Sequence, residues 1–91
     1  MPDLTVETLE VHLAFGTASL AVARVSEVMA RGQSDRVAID LFAKLGVIHS
    51  LLRVLFAHGR DEDVLLLVPT VVELAERTAC AIEQEGSRPG N

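Results

Sequence analysis

The side chains best equipped for chemistry in this sequence are His12, His49, His58, Cys80 and a scatter of carboxylates. His12, His58, Asp61 and Asp63, with Glu7, are the weak candidates for holding a divalent metal, because imidazole and carboxylate oxygens both ligate such ions. Their spacing carries no ligand motif, and the Glu-x-x-His pair of di-iron bundles is missing. His58 stands just before Gly59 and the acids 61–63 just after it, where helix-end electrostatics already account for a cation and then a run of anions. The expectation is therefore no bound metal and no cofactor.

Nucleophilic chemistry is as thinly supported. Cys80 with a histidine is a recognisable nucleophile pair, but Ser19, Ser26 and Ser50 have no evident base, and no glycine-rich phosphate loop occurs. Glu73 and Arg77 stand four apart as an ordinary surface pair. No catalytic residue is expected, and the chain reads as a non-enzyme.

Stepping from these residues to the elements that must hold them, Gly32, Gly59 and Gly86 recur at intervals of 27 residues. Each sits where a helix stop is expected, with Arg31 and His58 placed to oppose the negative end of a helix dipole. Start signals follow: Thr5 or Asp3, then Ser34, then Asp61 as N-caps. The reading is one all-α domain over residues 1–86, with helices at about 5–31, 35–58 and 61–85 and a disordered tail at 87–91. Connections of two or three residues force neighbours to run antiparallel, so the order is up, down, up. In that order, residues whose numbers sum to about 66 lie level on the first two helices, and those summing to about 119 on the last two. Cys80 then falls level with residue 39, roughly 15 Å along the axis from His49, too far to form a pair within one chain.

Apolar periodicity sets the faces. The first helix carries a core stripe of Val11, Ala14, Phe15, Ala18, Val22, Val25 and Met29. Across from it lie Leu9, Leu13 and Leu20, around Gly16. The third has Val64, Leu67, Val68, Val71, Leu74, Ala75, Thr78 and Ile82 on one side, and Pro69 predicts a kink or a short break. The second helix is different: 15 of the 24 residues from Asp35 to His58 are apolar, where a core-facing helix needs about three in seven. Val37, Leu41, Leu45, Ile48, Leu52 and Leu55 form its main stripe, yet Ile39, Phe42, Val47, Leu51, Val54 and Phe56 cover the other sides. A helix apolar all round is normally buried all round, and two neighbours cannot surround it.

Composition narrows the remaining classes. The formal charge is -5, with one lysine, three phenylalanines and no Trp or Tyr. Nucleic-acid binding calls for a clustered basic patch or aromatic stacking platforms, and neither is present. Residues 37–57 are long enough to span a bilayer, but Asp40, Lys44 and Arg53 would each oppose insertion by about 2.5–3.5 kcal/mol, so no membrane span is expected. A single cysteine and no leader pattern place the protein in a reducing cytoplasm. A folded monomer of 9.8 kDa leaves about 5,200 Å² accessible and hides about 64% of its surface, little cover for 49% hydrophobic residues. The sequence therefore predicts a homodimeric helical bundle acting as an interaction module, whether regulator, adaptor or chaperone-like protein, with a possible further protein partner. Its expected contact residues are Leu9, Leu13, Gly16, Leu20, Phe42, Val47, Leu51, Val54 and Phe56. The alternative is a bundle that binds a small ligand or a metal.

Overall fold

In a computed structural model the chain is all-helical, with α1 over Val6–Arg31, α2 over Arg36–Ala57 and α3 over Asp61–Ser87. The structure describes the backbone of residues 6–31 and 36–87 and the side chains of 8–31 and 36–83. The expected N-caps Thr5, Asp3 and Ser34, the stop at Gly32 and the tail at 88–91 lie outside the described residues, as does the side chain of Glu7.

The three helices pack into a rod of 58 × 18 × 18 Å. α3 lies along both partners, whereas α1 and α2 touch over less of their length. Fully or nearly buried residues recur with a seven-residue period: Val11, Ala18 and Val25 on α1, Ala38, Leu45 and Leu52 on α2, and Val64, Val71 and Thr78 on α3. Val68, Ala75 and Ile82 supply a second line on α3. A sustained spacing of seven keeps one line of side chains facing the partners as helices wrap around each other. Ala14, Phe15, Val22 and Met29 pack beside the α1 line, and Leu67 and Leu74 beside that of α3. Those two inward faces agree with the periodicity of the sequence.

The α2–α3 turn shows how the chain reverses. Gly59 takes φ 70°, the left-handed conformation that a Cβ disfavours. The Arg60 N–H donates to the Leu55 carbonyl at 3.0 Å, and that of Gly59 to Phe56 at 3.2 Å. This paired pattern is a Schellman cap, which satisfies carbonyls left over at the end of α2. The cap on α3 differs from expectation. The Arg60 carbonyl accepts from the Val64 N–H at 2.9 Å, so Arg60, rather than Asp61, occupies the capping position. Asp63 in turn pairs with the Arg60 guanidinium at 2.8 Å, and Asp61, Glu62 and Asp63 fill the first turn, where negative charge faces the positive end of the helix.

Two further expectations are corrected. α3 runs unbroken through Pro69 and continues past Gly86 to Ser87. Proline removes one hydrogen bond donor, but here its ring is exposed and the turns on either side carry the helix across. Gly86 remains helical because glycine permits a left-handed stop without requiring one. The strand reading of residues 64–72 is excluded, since they are helical throughout.

α2 is rotated from its expected setting. Val37, assigned to the core, is 61% exposed, while neighbouring Ala38 is fully buried. The buried line 38–45–52 has a period of seven, and residue 37 lies a full residue's rotation away from it. On a helix with apolar residues on every side, periodicity alone leaves that rotation open.

Candidate interaction surface

Ten large apolar side chains stand exposed among the described residues: Leu9, Leu13, Leu20, Val37, Ile39, Val47, Leu51, Val54, Leu65 and Leu66. Single exposed leucines are ordinary; lines of them on a helix are not. Leu13 and Leu20, at 71% and 67% exposure, are seven apart and so share one line on α1. Leu9 and Gly16 share the adjacent line. At 3.5 residues per turn both lines lie about 150° around the helix from the buried line 11–18–25, which makes this the back of α1. Around Gly16, a Cβ added to the glycine would meet nothing within 4 Å.

α2 carries the second concentration. Val47, Leu51 and Val54 are all more than half exposed. A groove beside Val47, about 460 Å³, is bordered by Ile48 and Leu74 and rimmed by Lys44, Glu73 and Arg77. Glu73 and Arg77 pair across one turn at 3.1 Å. Lys44 pairs with Asp40 on its own helix at 2.9 Å. Such exposed pairs contribute little stability, typically about 0–1 kcal/mol; their effect is to give an apolar strip a polar margin.

Two residues expected on the outer surface turn inward. Phe42 and Phe56 are half-buried and pack against the core. Phe56 stacks on Phe15 with ring centroids 4.2 Å apart and planes at 4°, while His12 meets its edge at 5.1 Å. Phe15 also stacks over His49 at 6.4 Å, and His49 Nε2 is hydrogen-bonded to Ser19 Oγ at 3.4 Å. This ladder of rings is the chief contact between α1 and α2 on that side, and aromatic pairs of this kind add about 0.5–1.5 kcal/mol beyond their buried area. Burial first, and the nearby Arg53 charge second, hold the His49 pKa below its ordinary value of 6.5. The sequence singled out His49 and Phe56 separately; only packing brings them into one stack.

The weak metal candidates are engaged in local bonds. His12 donates through Nδ1 to the Thr8 carbonyl at 2.7 Å, and His58 through Nδ1 to the Val54 carbonyl at 2.8 Å. Asp63 is tied to Arg60. Among the described residues, no group of three or more His, Cys, Asp or Glu side chains is gathered where it could hold a metal ion. Cys80 is exposed on α3. The groove beside Phe15, Arg53, Val54, Phe56 and His58, about 510 Å³, is open and shallow rather than enclosed.

α1 stands out in one more respect. Residues Thr8–Arg31, with mean hydropathy 1.3, are long and apolar enough to cross a membrane by length and composition alone, whereas the sequence drew attention to residues 37–57. The core helix of a soluble bundle can meet the same criterion, but little of α1 is buried here. Comparison of the chain with protein-family models, curated proteins and solved structures returns no match.

Proposed function

We propose that this protein is a non-enzymatic helical interaction module, homodimeric, serving in the cytoplasm as a small regulator, adaptor or chaperone-like protein through its outward apolar faces. One observation carries the proposal: ten large apolar side chains exposed on three helices whose core is already filled. Area points the same way. The lone chain leaves 6584 Å² accessible, above the roughly 5,200 Å² usual for its mass, and a stable interface takes about 800 Å² from each partner. A second copy is the simplest cover, because a two-fold axis brings the same patch against itself.

Within each copy the proposed order is up, down, up, with α3 bending at Pro69. Contacts of His12 with Phe56 and of Ser19 with His49 support opposed directions for α1 and α2, and the three-residue connection through Gly59 supports reversal between α2 and α3. A second protein partner would use what the dimer leaves open on α2. The test is light scattering across a wide concentration range. A mass near twice 9.8 kDa at micromolar concentration is expected, and a single subunit throughout, with no lipid or companion bound, would refute the proposal.

A further inference from the structure

Resting on the homodimeric reading, we infer that two copies pair through the backs of their α1 helices, antiparallel, crossing at Gly16 and Thr17. The lines that carry this surface are Leu9–Gly16–Ala23 and Leu13–Leu20–Glu27, side by side opposite the buried line. Both lines lie within two described turns of each other on one straight element, so the seam needs no other helix to complete it.

Symmetry and charge choose the direction. If the two-fold axis passes beside Gly16 and Thr17, residues whose numbers sum to about 33 meet across it. Leu13 then lies against Leu20 of the second copy, and Leu20 against Leu13. Leu9 meets the small Ala23, and glycine meets glycine at the crossing, where the missing side chains let the backbones approach. The residues flanking the seam on one side are Glu10, Thr17 and Arg24. In the antiparallel arrangement Glu10 falls beside Arg24 of the second copy, twice over, forming two ion pairs. A parallel arrangement sets Glu10 against Glu10 and Arg24 against Arg24, and like charges at such positions oppose association. Neither Glu10 nor Arg24 makes an ion pair among the described residues.

Gly16 supplies an independent reason. A glycine inside a helix is less favourable than alanine by roughly 0.5–1 kcal/mol, and within this chain nothing requires one, since a Cβ there meets no atom within 4 Å. Close approach of a second helix is a use for it that the lone copy lacks. The polar groups along the surface are also ready for burial. Thr17 Oγ1 donates to the Leu13 carbonyl at 2.9 Å, leaving its methyl outward, and Glu27 is within 4.0 Å of Arg31 at the polar end of the seam.

The test uses full-length protein in a Cys80→Ser background with single cysteines. Thr17→Cys, beside the axis, should cross-link to itself with a short bismaleimide. Ala23→Cys should not, because its counterpart lies about 13 residues away along the axis, roughly 20 Å. Cross-linking of Ala23→Cys means a parallel pair and overturns the inference. Failure of both, with a dimeric mass retained in light scattering, also overturns it while leaving the homodimeric reading intact; a single subunit at all concentrations defeats both. As a second measurement, Glu10→Arg or Arg24→Glu alone should weaken dimerisation about tenfold, since each creates two like-charge contacts. The double reversal should restore it, with circular dichroism confirming that helicity is unchanged. Failure of the double variant to recover overturns the antiparallel register.

Discussion

Three glycines in this protein should respond to the same substitution with different signs. Gly46 lies in the interior of α2, exposed, with no atom within 4 Å of where a Cβ would sit. Gly46→Ala therefore gains helix propensity with no steric conflict, a stabilisation of about 0.5–1 kcal/mol. For a domain of this size each kcal/mol moves the melting midpoint by roughly 4–8 °C, so a rise of about 2–8 °C is expected. Gly59 also has open space around it, but its φ of 70° is one an L side chain adopts at a penalty of roughly 1–2 kcal/mol. Gly59→Ala should lower the midpoint by a comparable or larger amount. Gly16→Ala separates the lone chain from the pair. At sub-micromolar protein it should behave like Gly46→Ala, whereas at concentrations that populate the dimer the two new methyls meet at the crossing and the gain should vanish or reverse. Thermal melts of the three variants at two protein concentrations a hundredfold apart make the comparison. A loss of stability in Gly46→Ala would refute the open setting of α2, and an unchanged midpoint in Gly59→Ala would refute the left-handed cap.

Other consequences can be read at equilibrium. Leu45 is fully buried at the middle of α2, so Leu45→Ala should cost about 2.7–5.0 kcal/mol in urea denaturation through lost transfer energy and the cavity left behind; for a domain of modest total stability that approaches unfolding. Pro69→Ala restores a helical donor facing the Leu65 carbonyl and should raise stability by up to about 3 kcal/mol, with no change in helix boundaries by hydrogen exchange. His49, in its stack with Phe15, its hydrogen bond to Ser19 and its place beside Arg53, has its pKa lowered from 6.5. The unfolded chain then binds the extra proton first, so this contribution to stability is complete above about pH 6.5 and is lost as pH falls through the lower folded value. Denaturation of wild type and His49→Gln between pH 7 and pH 5 should show the extra decline only in wild type.

Much of the architecture was legible before any packing was known. Val11, Ala18 and Val25, like Val64, Val71 and Thr78, recur at a spacing that only a helix places on one side, and on α1 and α3 polar residues elsewhere leave a single plausible inward face. Gly59, preceded by His58 and followed by three acids, marks the reversal through local electrostatics and backbone freedom alone. The apolar back of α1 was legible for the same reason, since Leu9, Leu13 and Leu20 lie opposite a stripe already assigned to the core. Even Thr78 could be placed inside, because its hydroxyl finds the Leu74 carbonyl at 2.7 Å one turn back without help from any other helix.

What the tertiary structure alone decided was the rotation of α2 and everything that follows from it. With apolar residues on all sides of that helix, every setting hides some oil, so the transfer free energy barely discriminates among them. Shape does: Ala38, Leu45 and Leu52 fit against α1 and α3, which turns Val37 outward and draws Phe42 and Phe56 inward. From that rotation come the stack of Phe15 on Phe56 and the siting of His49 against Ser19, contacts between residues more than 29 positions apart in the chain. Periodicity records which side chains share a line along one helix, whereas the choice between lines belongs to the volumes of the neighbours they must fill.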